Sequence, residues 1–147
     1  MARHRWSGWA EGVKVSRCSV KNGHKTGSLA KEGAFRTMTT TNLDSVPERS
    51  PFPGWRGKFI RSAGMTFVYW DVPAGTVLPA HSHPHEQVAH AFEGEFEIVV
   101  DGIKQILRPG SVSVIPPNAV HWGRAITDCR ILDVFCPVRE DYIQFER

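Results

Sequence analysis

The sequence predicts an all-β protein, a sandwich or barrel of short strands, and three observations support that prediction. Stretches rich in β-branched and aromatic residues recur along the chain, with turn-forming residues about every eight to twelve positions. No segment has a convincing 3.6-residue period of apolar side chains, which an amphipathic helix would need. The stretch from Glu95 to Ile98 alternates charged and apolar residues, as a strand with one solvent-facing side does.

The first half of the predicted domain begins with a lead-in that is rich in proline and glycine. Residues 47–57, PERSPFPGWRG, predict an extended connection. The strands that follow are rich in β-branched and aromatic residues, and Pro-Ala-Gly ends the second of them. The histidine-rich run HSHPHEQ precedes the third strand. In this half the predicted strands lie at 58–62, 65–72, 87–92 and 95–100.

Turn signals divide the second half. Asp101-Gly102 favours a two-residue hairpin turn. Asn118 follows two prolines and can take the left-handed backbone conformation that a tight turn requires. The last nine residues, 139–147, could form a short helix or a further strand. The predicted strands of this half lie at 103–107, 111–117, 119–123 and 129–135.

Length and composition bound the class of protein. The chain has 147 residues, 41% hydrophobic and 22% charged, as expected for one globular domain with a core of its own. Three scattered cysteines are too few for a disulfide framework or a zinc ribbon. No run approaches the roughly 20 apolar residues of a membrane span, and the N-terminus lacks the apolar segment of a secretory signal. A cytoplasmic protein without a membrane partner is therefore expected.

Charge is distributed unequally along the chain. Residues 1–37 hold eight Lys and Arg against two Asp and Glu, a net +6, whereas the remainder carries −3. A polar, glycine-punctuated composition predicts a disordered extension, with Met38 as an alternative start. A basic tail that touches nucleic acid is the other interpretation, although no nucleic-acid partner is expected. The predicted division is an irregular, partly disordered extension, 1–50, and a single folded domain, 51–147.

Four of the seven histidines fall between residues 81 and 90. His81 and His83 are two positions apart, so on a strand they would share one face and could converge on one ion. Imidazole binds Mn, Fe, Co, Ni, Cu and Zn alike. Further ligands would come from Gln87 and from His121, which follows a turn in a later strand. Structural or surface histidines are the alternative interpretation of the cluster.

The motif GX5HXHX3Q, then PGSVSVIPPNAVH after a gap of 21 residues, resembles the paired motifs of the cupin superfamily over about residues 55–140. The resemblance implies a double-stranded β-helix, a jelly-roll barrel with one divalent transition metal ion inside. Cupins usually have an acidic ligand near position 86 or 87. HSHPHEQV is similar to the branch that uses glutamine there. Glu86 or His85 could then orient the ligands, and direct binding of the ion by one of these two residues stays open. The implied metal ligands are His81, His83, Gln87 and His121.

Three segments together resemble the small cupins of pectin and alginate breakdown, the KdgF type: HSHPHEQVAHAFEGEFEIVVDG, IPPNAVHWG and LDVFCPVRED. This resemblance implies an isomerase that opens the ring of 4,5-unsaturated uronate sugars to 5-keto-4-deoxyuronate. In that family an Asp, a Phe and an Arg of the last segment line the pocket, which implies Asp133, Phe135 and Arg139 as catalytic residues. A homodimer is also expected, because jelly rolls of this size commonly pair through exposed edge strands.

The residues allow this chemistry on physical grounds. Asp133 and Phe135 share a strand face, and an inward carboxylate beside a metal could carry protons as an acid and base. Arg139 could hold a substrate carboxylate through a bidentate pair, or could pair only with Glu140 or Asp141 at the surface. The expected substrate is therefore a small sugar acid that carries a carboxylate.

Other activities remain open, because one fold hosts many chemistries. An iron- or nickel-dependent dioxygenase and a small-acid lyase are alternatives, although a set of three histidines and a glutamine is less typical of oxygen-activating iron sites. A polyketide-cyclase-type enzyme would need a broad apolar pocket. A non-catalytic metabolite-binding protein is the last alternative.

Overall fold

The computed structural model describes residues 38–146, which form two antiparallel β-sheets with two short 3₁₀ helices. Within those residues no helix has the length and apolar character needed to cross a membrane. The strands are β1 (Glu48–Phe52), β2 (Trp55–Arg61), β3 (Thr66–Val72), β4 (Val77–His81), β5 (Glu86–Glu93), β6 (Phe96–Val100), β7 (Ile103–Leu107), β8 (Val112–Ile115), β9 (His121–Ala125) and β10 (Cys129–Cys136), and the 3₁₀ helices are Leu43–Ser45 and Glu140–Phe145. The larger sheet has the order β1-β2-β3-β10-β5-β8, and the smaller has β4-β9-β6-β7.

This arrangement is a jelly-roll barrel, so the prediction of an all-β double-stranded β-helix is confirmed. Two strands lie outside the predicted set, β1 in the proline-rich lead-in and β4 before the histidines. Strand β1 contains Pro51 and lies at a sheet edge, where a residue without an N–H is tolerated. The predicted domain boundary at residue 51 falls inside β1. The basic segment 1–37, and the prediction made for it, lie outside the described residues.

The core lies between the inner faces of the two sheets. Burial alternates along β3 and β10, so every second side chain of each strand enters the barrel. Around Trp70 the aromatic rings of Trp55 and Phe59 pack edge to face, with centroids 5.3 and 5.4 Å from that of Trp70. This packing fixes the indole of Trp70 in one orientation, with its N–H pointing toward β10.

Two turns that the sequence predicted take the left-handed conformation. Asp101 and Gly102 have φ angles of 46° and 81°, as the hairpin between β6 and β7 requires. Asn118 has a φ of 65°, and its backbone N–H donates to the carbonyl oxygen of His83 at 2.8 Å. The turn before β9 is therefore tied to the histidine loop, which brings His121 beside His83.

Substitution of Gly94 tests how tightly the β5–β6 turn is packed. Its φ is +78°, and a Cβ there would collide with the carbonyl oxygen of Asp128. Gly102 has a similar φ of +81°, but a Cβ at that position would have no described atom within 4 Å. We expect Gly102→Ala to cost about 1–2 kcal/mol of unfolding free energy through backbone strain alone, and Gly94→Ala to cost about 1–3 kcal/mol more through the added clash. Urea denaturation of both variants measures the difference, and equal losses would contradict it.

Candidate metal centre and active site

Three histidines from two parts of the chain meet inside the barrel. His81 is the last residue of β4 and pairs in register with His121, the first residue of β9. Their ring centroids are 4.2 Å apart, and the ring of His83 lies 5.0 Å from that of His121. One candidate ligand atom from each residue lies within 4.8 Å of the other two. The cluster could therefore hold a metal ion.

The HSH run does not form one continuous strand, so the prediction that His81 and His83 share one face of a strand was wrong. Strand β4 ends at His81, and His83 lies in the loop that leads to β5. His83 approaches the other histidines because that loop turns, with its carbonyl oxygen held by the Asn118 N–H. The convergence therefore depends on the Asn118 turn rather than on the two-residue period of a strand.

Backbone carbonyls fix the tautomer of all three rings. A carbonyl oxygen can only accept a hydrogen bond, so each Nδ1 beside one must carry the proton. Each Nε2 then presents a lone pair, the form in which imidazole binds a metal. The three Nδ1–carbonyl distances are 2.9 Å from His81 to Pro79, 3.1 Å from His83 to His85 and 2.9 Å from His121 to Ala119.

The buried nitrogen of His121 supports a fit to a cation. His121 is 1% exposed, and its Nε2 has no hydrogen-bond partner among residues 38–146. A buried polar atom without a partner is costly, and a bound cation would satisfy it. Burial lowers the pKa of His121 and lowers that of His83 to about 4, so both rings are neutral at physiological pH. The donor set therefore suits a metal ion.

Gln87 faces the same point from the inner side of β5. Its Oε1 lies 3.1 Å from the Nε2 of His83. With the His83 proton on Nδ1, both of these atoms are acceptors, so a cation or a reversed amide is needed to satisfy the pair. Glu86 precedes Gln87 on the strand and lies on the outer side of the sheet, since burial alternates along β5. Of the two residues, Gln87 has the position of a ligand.

A cavity of about 400 Å³ opens beside this cluster. Six aromatic side chains and six polar side chains line it. The aromatic residues are Phe52, Trp55, Trp70, Phe135, Tyr142 and Phe145, and the polar ones are His81, Gln87, Asp133, Arg139, Asp141 and Gln144.

Asp133 projects into the cavity from the inner face of β10 and is only 8% exposed. Its Oδ2 accepts a hydrogen bond from Trp70 Nε1 at 2.9 Å, whereas its Oδ1 has no partner within the described part of the chain. Burial raises the pKa of Asp133 from 3.8 to about 6, although the polar groups of Gln87 and Trp70 act in the opposite direction. A carboxyl group with this pKa can both take up and release a proton near neutral pH.

The predicted Phe135 and Arg139 also line the cavity. Phe135 packs edge-on against the ring of His83, with centroids 5.5 Å apart. The guanidinium carbon of Arg139 lies 5.0 Å from the Phe135 centroid and 4.2 Å from that of Tyr142. Arg139 pairs with Asp141, one of the two alternatives from the sequence, but it does so in a buried position rather than at the surface.

Several residues that line the cavity were not predicted as site residues, among them Trp70, Asp141 and Tyr142. Tyr69 and Trp70 are neighbours on β3 and point to opposite faces of the sheet, and only Trp70 is buried and lines the cavity. Asp141 and Tyr142 belong to the C-terminal 3₁₀ helix, which covers one side of the cavity. The aromatic residues of that last segment were the available signal, because an apolar face on a short terminal helix has to pack against something.

The fold and the site together define a class of protein, a jelly-roll barrel with an internal histidine cluster beside a ligand-sized cavity. A protein-family model described as "Cupin domain" matches residues 68–135, which include all of the implied ligands and Asp133. A "Pectin degradation protein KdgF" from Dickeya dadantii is 32% identical over 71 residues. That match covers 47% of this chain and 64% of the relative, a little under two thirds of its length. Over these residues the chain is similar to the cupin superfamily, and within that superfamily it resembles the KdgF type.

Solved structures show the same likeness. KdgF from Halomonas sp. is 26% identical, has a TM-score of 0.69, and aligns over 73% of this chain and 100% of its own. An RmlC-like cupin from Shewanella frigidimarina is 25% identical with a TM-score of 0.68, over 73% of this chain and 97% of its own. Ectoine synthase from P. lautus, at 21% identity and a TM-score of 0.65 over 75% of this chain and 86% of its own, shares the fold.

Proposed function

We propose that this cupin is a metal-dependent isomerase that opens the ring of 4,5-unsaturated uronate monosaccharides to 5-keto-4-deoxyuronate. The observation that carries the proposal is the position of Asp133, a buried carboxyl with a raised pKa in the same cavity as His81 and Gln87. The likeness to a protein of pectin degradation supports the choice of a uronate as substrate. The cytoplasm remains the proposed compartment.

The proposed metal ligands are His81, His83, Gln87 and His121, which would hold one divalent transition ion such as Zn, Ni, Mn, Fe, Co or Cu. Bound there, the ion would act as a Lewis acid that stabilises negative charge on a substrate oxygen. Gln87 contributes a neutral amide where many cupins have a carboxylate, so the site retains more of the ion's positive charge. No electron is exchanged in the proposed reaction, so several divalent ions could serve.

In the proposed reaction Asp133 transfers one proton. Its carboxylate takes the proton of the anomeric hydroxyl, the bond between C1 and the ring oxygen breaks, and C1 becomes an aldehyde. The electron pair of that bond remains on the ring oxygen, which becomes the C5 ketone when C4 receives the proton from Asp133. Atoms and charge balance, because the proton that leaves the hydroxyl is the one that arrives at C4. Phe135 and Trp70 would pack against the sugar ring, and Arg139 would attract its carboxylate.

The test of this function is the ultraviolet absorbance of unsaturated galacturonate, prepared by exhaustive lyase digestion of pectin. Its decay is followed with metal-loaded protein, with chelator-stripped protein and without protein, because the ring also opens spontaneously. We expect decay faster than the blank that disappears on stripping and returns with a divalent ion. Decay no faster than the blank with metal-loaded protein would exclude the proposed reaction.

A cyclase-type activity on an aromatic polycycle is the second candidate, and the six aromatic rings of the cavity favour it. A fused-ring substrate would replace water against this apolar lining more fully than a sugar acid does. The two candidates differ in the ligand they predict. Tight binding of a fluorescent polycyclic phenol, with no turnover of unsaturated uronate, would favour the cyclase.

We also propose a homodimer that forms through the outer face of the larger sheet at its β8 edge. Val112 and Val114 are 56% and 60% exposed there, and register pairing joins them to His90 and Val88 of β5. The apolar row continues into β10, so a second copy would bury a continuous apolar surface.

Val114→Lys is expected to shift the protein to monomer, because the new charge would have to be buried at the interface. Light scattering coupled to size-exclusion chromatography measures the mass. The control is Ile103→Lys, an equally exposed position at the β7 edge of the other sheet, which should leave the mass unchanged. A wild-type monomer, or a Val114→Lys dimer, would contradict the proposed interface.

A further inference from the structure

The guanidinium group of Arg139 is occupied by a carboxylate of the chain itself. Arg139 Nε donates to Asp141 Oδ1 at 2.9 Å, and Nη2 donates to Oδ2 at 2.6 Å. This two-point geometry is the strongest that an arginine and a carboxylate can form. Both residues line the cavity, so the pair lies where a ligand would bind.

The two partners differ in how firmly they are held. The Arg139 side chain is 9% exposed and packs over the rings of Phe135 and Tyr142. The Asp141 side chain is 56% exposed and belongs to the short 3₁₀ helix. Pairing with Arg139 lowers the pKa of Asp141, so its carboxylate is charged at neutral pH. Asp141 can therefore leave for solvent, whereas Arg139 cannot follow it.

A carboxylate that enters the cavity needs the same donors that Asp141 occupies. If the ligand displaces Asp141, the free energy needed to break the Arg139–Asp141 pair is subtracted from the binding free energy of the ligand. If the ligand uses the remaining N–H groups of Arg139, the negative charge of Asp141 stays close and repels it. Both routes weaken carboxylate binding and leave the binding of a neutral ligand unchanged.

We propose that Asp141 is a specificity-determining residue, an internal counter-ion that competes with the carboxylate of a sugar acid for Arg139. This inference rests on the proposed function for the class of ligand, and it adds a residue that sets affinity for both substrate and product. Weak binding of the acid would favour release of the product, since substrate and product carry the same carboxylate.

The test measures binding of a sugar acid that does not react, D-galacturonate, with neutral D-galactose as its matched ligand. Asp141→Asn keeps the size of the side chain, and Asp141→Ser removes the carboxylate in a second way. The control is Glu140→Gln, which removes an exposed charge one residue away in the same 3₁₀ helix. Calorimetry on the metal-loaded variants gives the dissociation constants, and melting temperatures report folding.

We expect both Asp141 variants to bind galacturonate about tenfold more tightly, the effect of removing one competing charge-assisted pair. Glu140→Gln should match the wild type, and galactose affinity should be the same in all four proteins. The gain should also disappear in an Arg139→Gln background, because there is then no shared guanidinium to compete for. In turnover of the unsaturated uronate, KM should fall for Asp141→Asn without an increase in kcat.

Unchanged or weaker galacturonate binding in both Asp141 variants would overturn the inference, as would an absence of galacturonate binding in every protein. Loss of folding in both variants would overturn it as well, because an exchangeable counter-ion cannot be essential to the fold. A failure of the proposed function can be distinguished from a failure of this inference. Tighter galacturonate binding without any uronate turnover would retain the competition at Arg139 and reject the reaction, and turnover without tighter binding would do the reverse.

Discussion

His121→Ala is expected to abolish metal binding and to reduce turnover to the level of the chelator-stripped protein. His121 is the most buried of the three clustered histidines, and its Nε2 has no hydrogen-bond partner in the described chain. Removal of one ligand from a small set lowers affinity by more than the roughly 10- to 100-fold that loss of an outer-shell contact costs. Metal content after dialysis against a low micromolar concentration of the ion measures the effect.

The control for this prediction is His90→Ala. His90 lies on the outer face of β5, with its ring 4.5 Å from that of Phe92, and it faces away from the cluster. We expect this variant to keep the metal and the activity. A melting curve of metal-free His121→Ala separates loss of a ligand from loss of the fold. Full metal content in a folded His121→Ala protein would show that the histidines are not the site.

The parts of the fold that the sequence predicted are those in which local pattern and tertiary environment agree. Strand β10 is one example, because its β-branched and aromatic residues favour a strand, and Ile131, Asp133 and Phe135 take every second position, on the buried face. Strand β4, VLPAH, gives no such signal, since Pro79 interrupts it and none of its residues is fully buried. Strand β1 was missed because its pairing at a sheet edge tolerates a proline that a central strand would exclude.

The candidate site also has features that the sequence predicts and features that depend on contacts between distant residues. The motifs marked His81, His83, Gln87 and His121 by residue type and spacing, and the structure brings them together. The position of His83 required more than spacing, because it depends on a hydrogen bond from Asn118, far along the chain.

Contacts between distant residues could not be predicted from the sequence. Trp70 and Asp133 are 63 residues apart, and only the register of β3 against β10 brings the indole to the carboxylate. The sequence does not decide whether Arg139 pairs with Asp141, because a charged residue two positions away can equally well face solvent. In the structure, Arg139 is buried against two aromatic rings and pairs with Asp141 there.

Asp133→Asn is expected to retain metal and to lose turnover by about 10²- to 10⁴-fold, the usual contribution of a positioned acid or base. Asparagine has nearly the same shape, and its Oδ1 can still accept the Trp70 hydrogen bond, so the cavity should keep its form. Metal content and kcat/KM for the unsaturated uronate distinguish this variant from His121→Ala, which should lose both. Wild-type activity in Asp133→Asn would show that another group carries the proton.

The pH dependence of stability gives an independent check on Asp133. Its pKa is raised to about 6 by burial, from an ordinary value of 3.8. The folded protein therefore holds the proton more tightly than the unfolded chain, and the stabilising effect of that proton is complete below pH 3.8 and is lost as the pH rises to about 6. Metal-free Asp133→Asn, which is neutral at every pH, should gain stability over the wild type above pH 6 and show no gain near pH 4. The kcat/KM of the metal-loaded wild type should also rise with pH toward a plateau, because the free enzyme must present Asp133 as a carboxylate base. A variant that is less stable than the wild type at pH 8 would mean that the folded protein favours the charged form of Asp133, and the carboxyl would then be a structural partner of Trp70 rather than a group poised to exchange a proton.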